Sequence, residues 1–174
     1  MRIVALDPGG ETGYAILHWT VKHGGSLGTY GHLGPENHHH KLRTLLEQNA
    51  RVMPLGETAQ RDMIVVCERF DPRENNFAKL VSCEYIGVAR EWCQYRSVTL
   101  VLQGSSIKPG VKDRGTAWAT DRKLEALGLL LTPASKWKHA NDALRHLAYF
   151  ICHNGHVPAE LRDIFFQKLK ALNE

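Results

Sequence analysis

Ile3-Val4-Ala5-Leu6-Asp7-Pro8-Gly9-Gly10-Glu11-Thr12-Gly13-Tyr14-Ala15 begins with an apolar run that ends on one carboxylate; a tight turn and a second apolar run follow. Ile3 to Asp7 is short and apolar on both alternating faces, the pattern of a central strand. Gly9, Gly10 and Gly13 mark a turn, and Thr12 to Trp19 reads as an antiparallel partner strand. Asp7 therefore falls at the end of a buried strand, aimed out of the sheet. A carboxylate there is costly unless it binds a cation or accepts hydrogen bonds.

Two later stretches repeat that logic. Ile64-Val65-Val66-Cys67-Glu68 ends another apolar run on an acid, and His139-Ala140-Asn141-Asp142-Ala143 places two ligand-bearing side chains one helical turn apart. Residues i and i+3 of a helix share a face. Taken singly, each has a simpler reading. Asp7 could cap its turn, Glu68 could pair with Arg69 or Arg73, His139 could be a surface residue, and Asp142 suits a first helical turn electrostatically. Taken together, three separated segments that each offer hard-metal ligands point to one composite metal site.

Outward from the first strand, Ser26–Leu33 completes a three-stranded meander. Residues 38–53 carry Leu42, Leu45, Leu46 and Val52 at helical spacing. Met63–Glu68 is a strand buried on both faces, Phe77 to Tyr95 a long helix with Leu80, Tyr85, Val88 and Trp92 near one side, and Ser97–Gln103 a strand. Gly104–Gly115 is a basic loop. Thr116–Leu127, Lys138–His153 and a C-terminal appendage at 159–172 read as helices. The order predicts an α/β domain spanning residues 1–174, with a mixed five-stranded sheet and helices on both faces.

The 174 residues carry a net charge of +4. Residues 104–145 hold eight of the Lys and Arg against four acids, which equals the whole positive excess. A basic zone beside an acidic pocket suits a nuclease, because phosphates must approach while the ligands stay anionic. Cys67, Cys83, Cys93 and Cys152 form no CxxC pair and lie in apolar contexts, so they read as buried, reduced thiols. His38-His39-His40 reads as surface side chains, since consecutive positions on a helix diverge too far to converge on one ion. No run is long enough to span a membrane, and no secretory pattern opens the chain, so a cytoplasmic protein is expected.

Asp7-Pro8-Gly9 with Thr12-Gly13-Tyr14, Glu68 at the end of the fourth strand, and His139-x-x-Asp142-Ala143 on a late helix together resemble the RuvC-type Holliday-junction resolvases of the RNase H-like superfamily. The resemblance covers residue 1 to about 153. The short loop after Asp7 and the residues Arg69-Phe70-Asp71-Pro72 and Ile107-Lys108-Pro109-Gly110-Val111-Lys112 look more like a bacteriophage-encoded member, which would work in the host cytoplasm. The resemblance implies an RNase H-like fold and a homodimer that cuts two strands of a four-way junction. It implies two Mg²⁺ ions per site, with Mn²⁺ as a substitute, held by Asp7, Glu68, His139 and Asp142. Arg69, Phe70, Arg73, Lys108, Lys112 and Arg114 are the candidate DNA contacts. The rival readings are a broader branched-DNA or flap nuclease and a non-catalytic nucleic-acid-binding module. An actin-like ATPase would need a second such domain and a second phosphate loop.

Overall fold

β1 (Arg2–Asp7) takes the centre of the sheet because its side chains are apolar in both directions, and Ile3, Val4, Ala5 and Leu6 are all buried. The computed structural model describes residues 1–22, 24–51, 63–69, 78–104, 118–129 and 138–172. The other strands are β2 (Thr12–Thr20), β3 (Gly24–Leu33), β4 (Met63–Glu68) and β5 (Thr99–Gln103), in the order β3-β2-β1-β4-β5. β2 runs antiparallel to β1 and β3, whereas β1, β4 and β5 are mutually parallel. This is the mixed sheet the sequence predicts.

The helices are α1 (His38–Arg51), α2 (Ala78–Arg96), α3 (Asp121–Leu127), α4 (Lys138–His153) and α5 (Ala159–Lys170). Alternation along the central strands assigns them to two faces. Ile3, Ala5, Ile64 and Val66 pack with Leu144, Leu147 and Ile151 of α4. Val4, Leu6, Val65 and Cys67 pack with Leu42 and Leu46 of α1 and with Tyr85, Ala89 and Trp92 of α2. Each fully buried aliphatic side chain contributes about 1.5–3 kcal/mol. α1 and α2 are also joined at their edge, where Glu47 accepts hydrogen bonds from Trp92 Nε1 at 2.8 Å and Arg96 Nη2 at 2.6 Å.

Several sequence expectations change. The C-terminal helix packs its apolar side, through Leu161 and Phe165, into the α4-side core. α3 starts at Asp121, because Thr120 is extended and its Oγ1 caps the Lys123 amide. Ser97 adopts a left-handed φ of 52° that ends α2, so β5 begins at Thr99. Leu80 is exposed, since the buried stripe of α2 runs through Tyr85, Ile86, Ala89, Trp92 and Cys93. Cys83 is exposed as well. Burial pushes the thiols of Cys93 up to about 12 and Cys152 up to about 11, which keeps both protonated.

Candidate active site

Three parallel strands end on polar side chains at one edge of the sheet. Asp7 closes β1, Glu68 closes β4 and Gln103 closes β5. Leu6 pairs with Cys67 and Glu68 with Gln103, so the three ends are level. In open α/β sheets this carboxyl edge is where ligands bind.

α4 brings the remaining groups. His139, Asp142 and His146 lie at i, i+3 and i+7, close to one face of the helix. Gly13 is what admits the helix to the sheet. It sits within β2 rather than in the turn, and a methyl group there would run into the main-chain carbonyl of His139. The glycine is required for close approach, not for an unusual φ.

His139 Nδ1 lies 2.9 Å from Asp7 Oδ2. The carboxylate only accepts, so Nδ1–H donates. Asp7 is nearly inaccessible, with a side chain 3% exposed, while the His139 side chain is 38% exposed. Deeper in, His146 is fully buried, and its Nδ1 lies 2.9 Å from Gln103 Oε1. With Nδ1–H given to Gln103, Nε2 turns its lone pair toward Glu68 Oε2, 3.8 Å away. No hydrogen bond reaches that buried Nε2 among the described residues. A lone pair facing a carboxylate in a dry site calls for a cation.

Asp7, Glu68 and His146 each offer a ligand atom, and these atoms all lie within 4.8 Å of one another. Two carboxylates suit Mg²⁺ or Mn²⁺, and the imidazole adds affinity for Mn²⁺. The residues present therefore fit a divalent cation.

Asp142 is arranged differently. Its Oδ1 accepts from Arg145 Nη1 at 2.5 Å, and it lies outside the trio of Asp7, Glu68 and His146. Arg145 also pairs with the carboxylate of Asp121 and donates from Nε to the Ala119 carbonyl at 3.2 Å. Asp142 and the half-exposed Asp121 together make burial of the Arg145 guanidinium tolerable.

Of the expected site residues, the structure joins Asp7 to His139 and sets Glu68 at the adjacent strand end. It adds His146 and Gln103, which the sequence reading missed. The available signal was an imidazole two helical turns after His139 and a third polar strand end. Arg69 is exposed directly after Glu68, its amide bonded to the Gln103 carbonyl at 2.5 Å. Phe70, Arg73, Lys108, Lys112 and Arg114 lie outside the described residues.

No protein-family model and no curated protein matches the sequence. Solved structures do resemble the fold. RuvC of Thermus thermophilus in complex with a Holliday junction substrate aligns with a TM-score of 0.57 at 15% identity, over 97% of this chain and 96% of that one. A second structure of Thermus thermophilus RuvC aligns at 0.56 and 18% identity, over 98% and 97%. The chain thus has the RuvC-type, RNase H-like α/β fold that its motifs imply.

Proposed function

We propose that this chain is a divalent-metal-dependent endonuclease that resolves four-way DNA junctions by paired phosphodiester hydrolysis. The observation that carries the reading is the convergence of Asp7, Glu68 and His146 within 4.8 Å. It occurs at the carboxyl edge of a sheet whose fold is shared with a protein solved on a Holliday junction.

Asp7, Glu68 and His146 would hold a first ion, and Asp142 and His139 would serve as ligands for a second. Two bound Mg²⁺ ions, or Mn²⁺ in their place, supply an acidified water and neutralise charge on the leaving oxygen. The chain's own residues prepare the ligands. His139 fixes Asp7 through Nδ1–H. Gln103 fixes the tautomer of His146, the usual part of a group that supports a ligating imidazole. Arg145 holds Asp142 in one orientation until substrate and cations compete for it.

Arg69, beside Glu68, would take a phosphate at the mouth of the site. Lys108, Lys112, Arg114, Arg73 and Phe70 complete the DNA surface in this reading, with Phe70 stacked on an unpaired base. A second copy of the chain would supply the second cut under twofold symmetry.

The test is cleavage of an immobile four-way junction, with a flap and a Y-fork built from the same arms, in Mg²⁺ and in Mn²⁺. Symmetrically paired nicks in the junction are expected. Equal cleavage of all three substrates would replace junction resolution with a broader branched-DNA activity. Junction binding without cleavage in either metal would overturn the nuclease reading.

A further inference from the structure

The second concentration of ligand atoms lies far from the strand ends in sequence and on the other face of the sheet. His38 and His39 begin α1, and Glu84 lies on α2. Contrary to the expectation that adjacent histidines diverge, two of the three converge. His38 Nε2 is 3.5 Å and His39 Nε2 is 3.4 Å from the same Glu84 Oε2. The rings meet edge to face with centroids 4.1 Å apart, and His38 packs against Tyr85 at 4.7 Å.

Proton positions decide what this arrangement is. His38 Nδ1 lies 2.8 Å from the Pro35 carbonyl, which can only accept, so Nδ1 carries the proton. In the neutral ring Nε2 then bears a lone pair. That atom is buried and no hydrogen bond reaches it among the described residues. It nevertheless faces a carboxylate oxygen. Direct charge-assisted hydrogen bonds would be shorter, at about 2.7–2.9 Å. Ligands about 2.05 Å from a tetrahedral ion stand about 3.3–3.4 Å apart, close to the spacing of both nitrogens from Oε2. A backbone carbonyl that takes the distal N–H of a ligating imidazole is also the usual support for such a ligand.

We infer that His38, His39 and Glu84 form a second metal site, selective for a borderline divalent ion of the Zn²⁺ type. Two imidazoles and one carboxylate suit Zn²⁺ and disfavour Mg²⁺. The fourth position is left to water. The ion ties the first turn of α1 to the second turn of α2, so it acts as a clip between two helices and takes no part in hydrolysis. This inference is independent of the nuclease reading.

The test is zinc binding by the full chain, measured by competition with a chromophoric chelator. The protein carries Asp7→Asn and Glu68→Gln, so the strand-end ligands do not contribute. One Zn²⁺ per chain is expected. His39→Ala and Glu84→Gln, both at exposed positions, should each weaken binding at least about tenfold. Cys83→Ser, next to Glu84, should leave it unchanged. Co²⁺ in place of zinc should give visible bands of low-coordinate geometry that vanish in His39→Ala. Zinc should raise the melting temperature of the parent protein and not that of the doubly substituted His39→Ala, Glu84→Gln chain. Absence of zinc binding in the parent, or undiminished affinity in both single variants, would overturn the site.

Discussion

The two faces of the sheet are packed from similar apolar side chains but place their polar groups differently. On the α1–α2 face the polar contacts between helices stand at the edge: Glu47 with Trp92 and Arg96, and Glu84 with His38 and His39. On the α4 face Asn141, Asp142, Arg145 and His146 are buried within the helix that crosses the sheet. Some of these atoms lack the hydrogen bonds that burial demands: both side-chain atoms of Asn141 and Nε2 of His146 have no such partner among the described residues. A fold optimised for stability alone would fill those positions with hydrocarbon. The α4 face carries such atoms within the helix that faces the candidate strand-end site, whereas on the α1–α2 face a comparable atom, His38 Nε2, stands at the start of α1.

The sharpest way to break this comparison is to remove a strand-end acid. Asp7→Asn or Glu68→Gln should reduce single-turnover junction cleavage to below about 1% while junction binding persists, since each withdraws a cation ligand without touching a DNA contact. Retained cleavage in either variant would take that carboxylate out of the site. The next test compares equal cavities on the two faces. Leu147→Ala and Leu46→Ala each delete a fully buried side chain, and each should lower urea-derived stability by about 2–5 kcal/mol. Cleavage measured where both variants remain folded should fall in Leu147→Ala, whose residue follows His146, and hold in Leu46→Ala. If the two variants lose equal activity, the division between the faces fails.

A smaller effect is expected from the residue that supports His146. Gln103→Leu removes the acceptor for Nδ1–H and should slow cleavage by about 10–100-fold, with part of the loss recovered at higher Mn²⁺. Unchanged metal dependence would make Gln103 a packing residue. The mildest test is pH. Burial, with help from Arg2 and the N-terminal ammonium, lowers the His18 pKa below 6.5; burial and Lys123 do the same for His153. The unfolded chain therefore takes up these protons first. Stability from both groups is present above about 6.5 and is lost as pH falls through the lowered folded values. Melting temperatures between pH 7.5 and 5 should decline accordingly. His18→Gln, which keeps an acceptor for Arg2 Nε, should flatten the decline.

The parts legible in the sequence were those set by short-range pattern. The apolar runs ending at Asp7 and Glu68 fixed the strands and, through them, the edge at which the candidate ligands stand. His139 and Asp142 were visible because their spacing is a helical turn. His146 was missed because its surroundings, Leu144 and Leu147, are those of a core position, and its partner Gln103 is 43 residues away. The histidines at the start of α1 lie at the surface as expected, but the approach of two of them to one carboxylate was missed for a related reason. Their convergence depends on Glu84, on a different helix, and no local pattern reports it. The starts of α3 and β5 were misplaced because capping and left-handed geometry at Thr120 and Ser97 overrode residue preference.

Gly13 carries a consequence for how the molecule can change over time. Because α4 rests on the bare main chain of β2 there, the separation between helix and sheet is set by backbone meeting backbone. Volume-conserving exchanges of leucine, valine and isoleucine on that face leave this backbone contact in place. The core is freer to drift than Gly13, where any side chain would push α4 off the sheet.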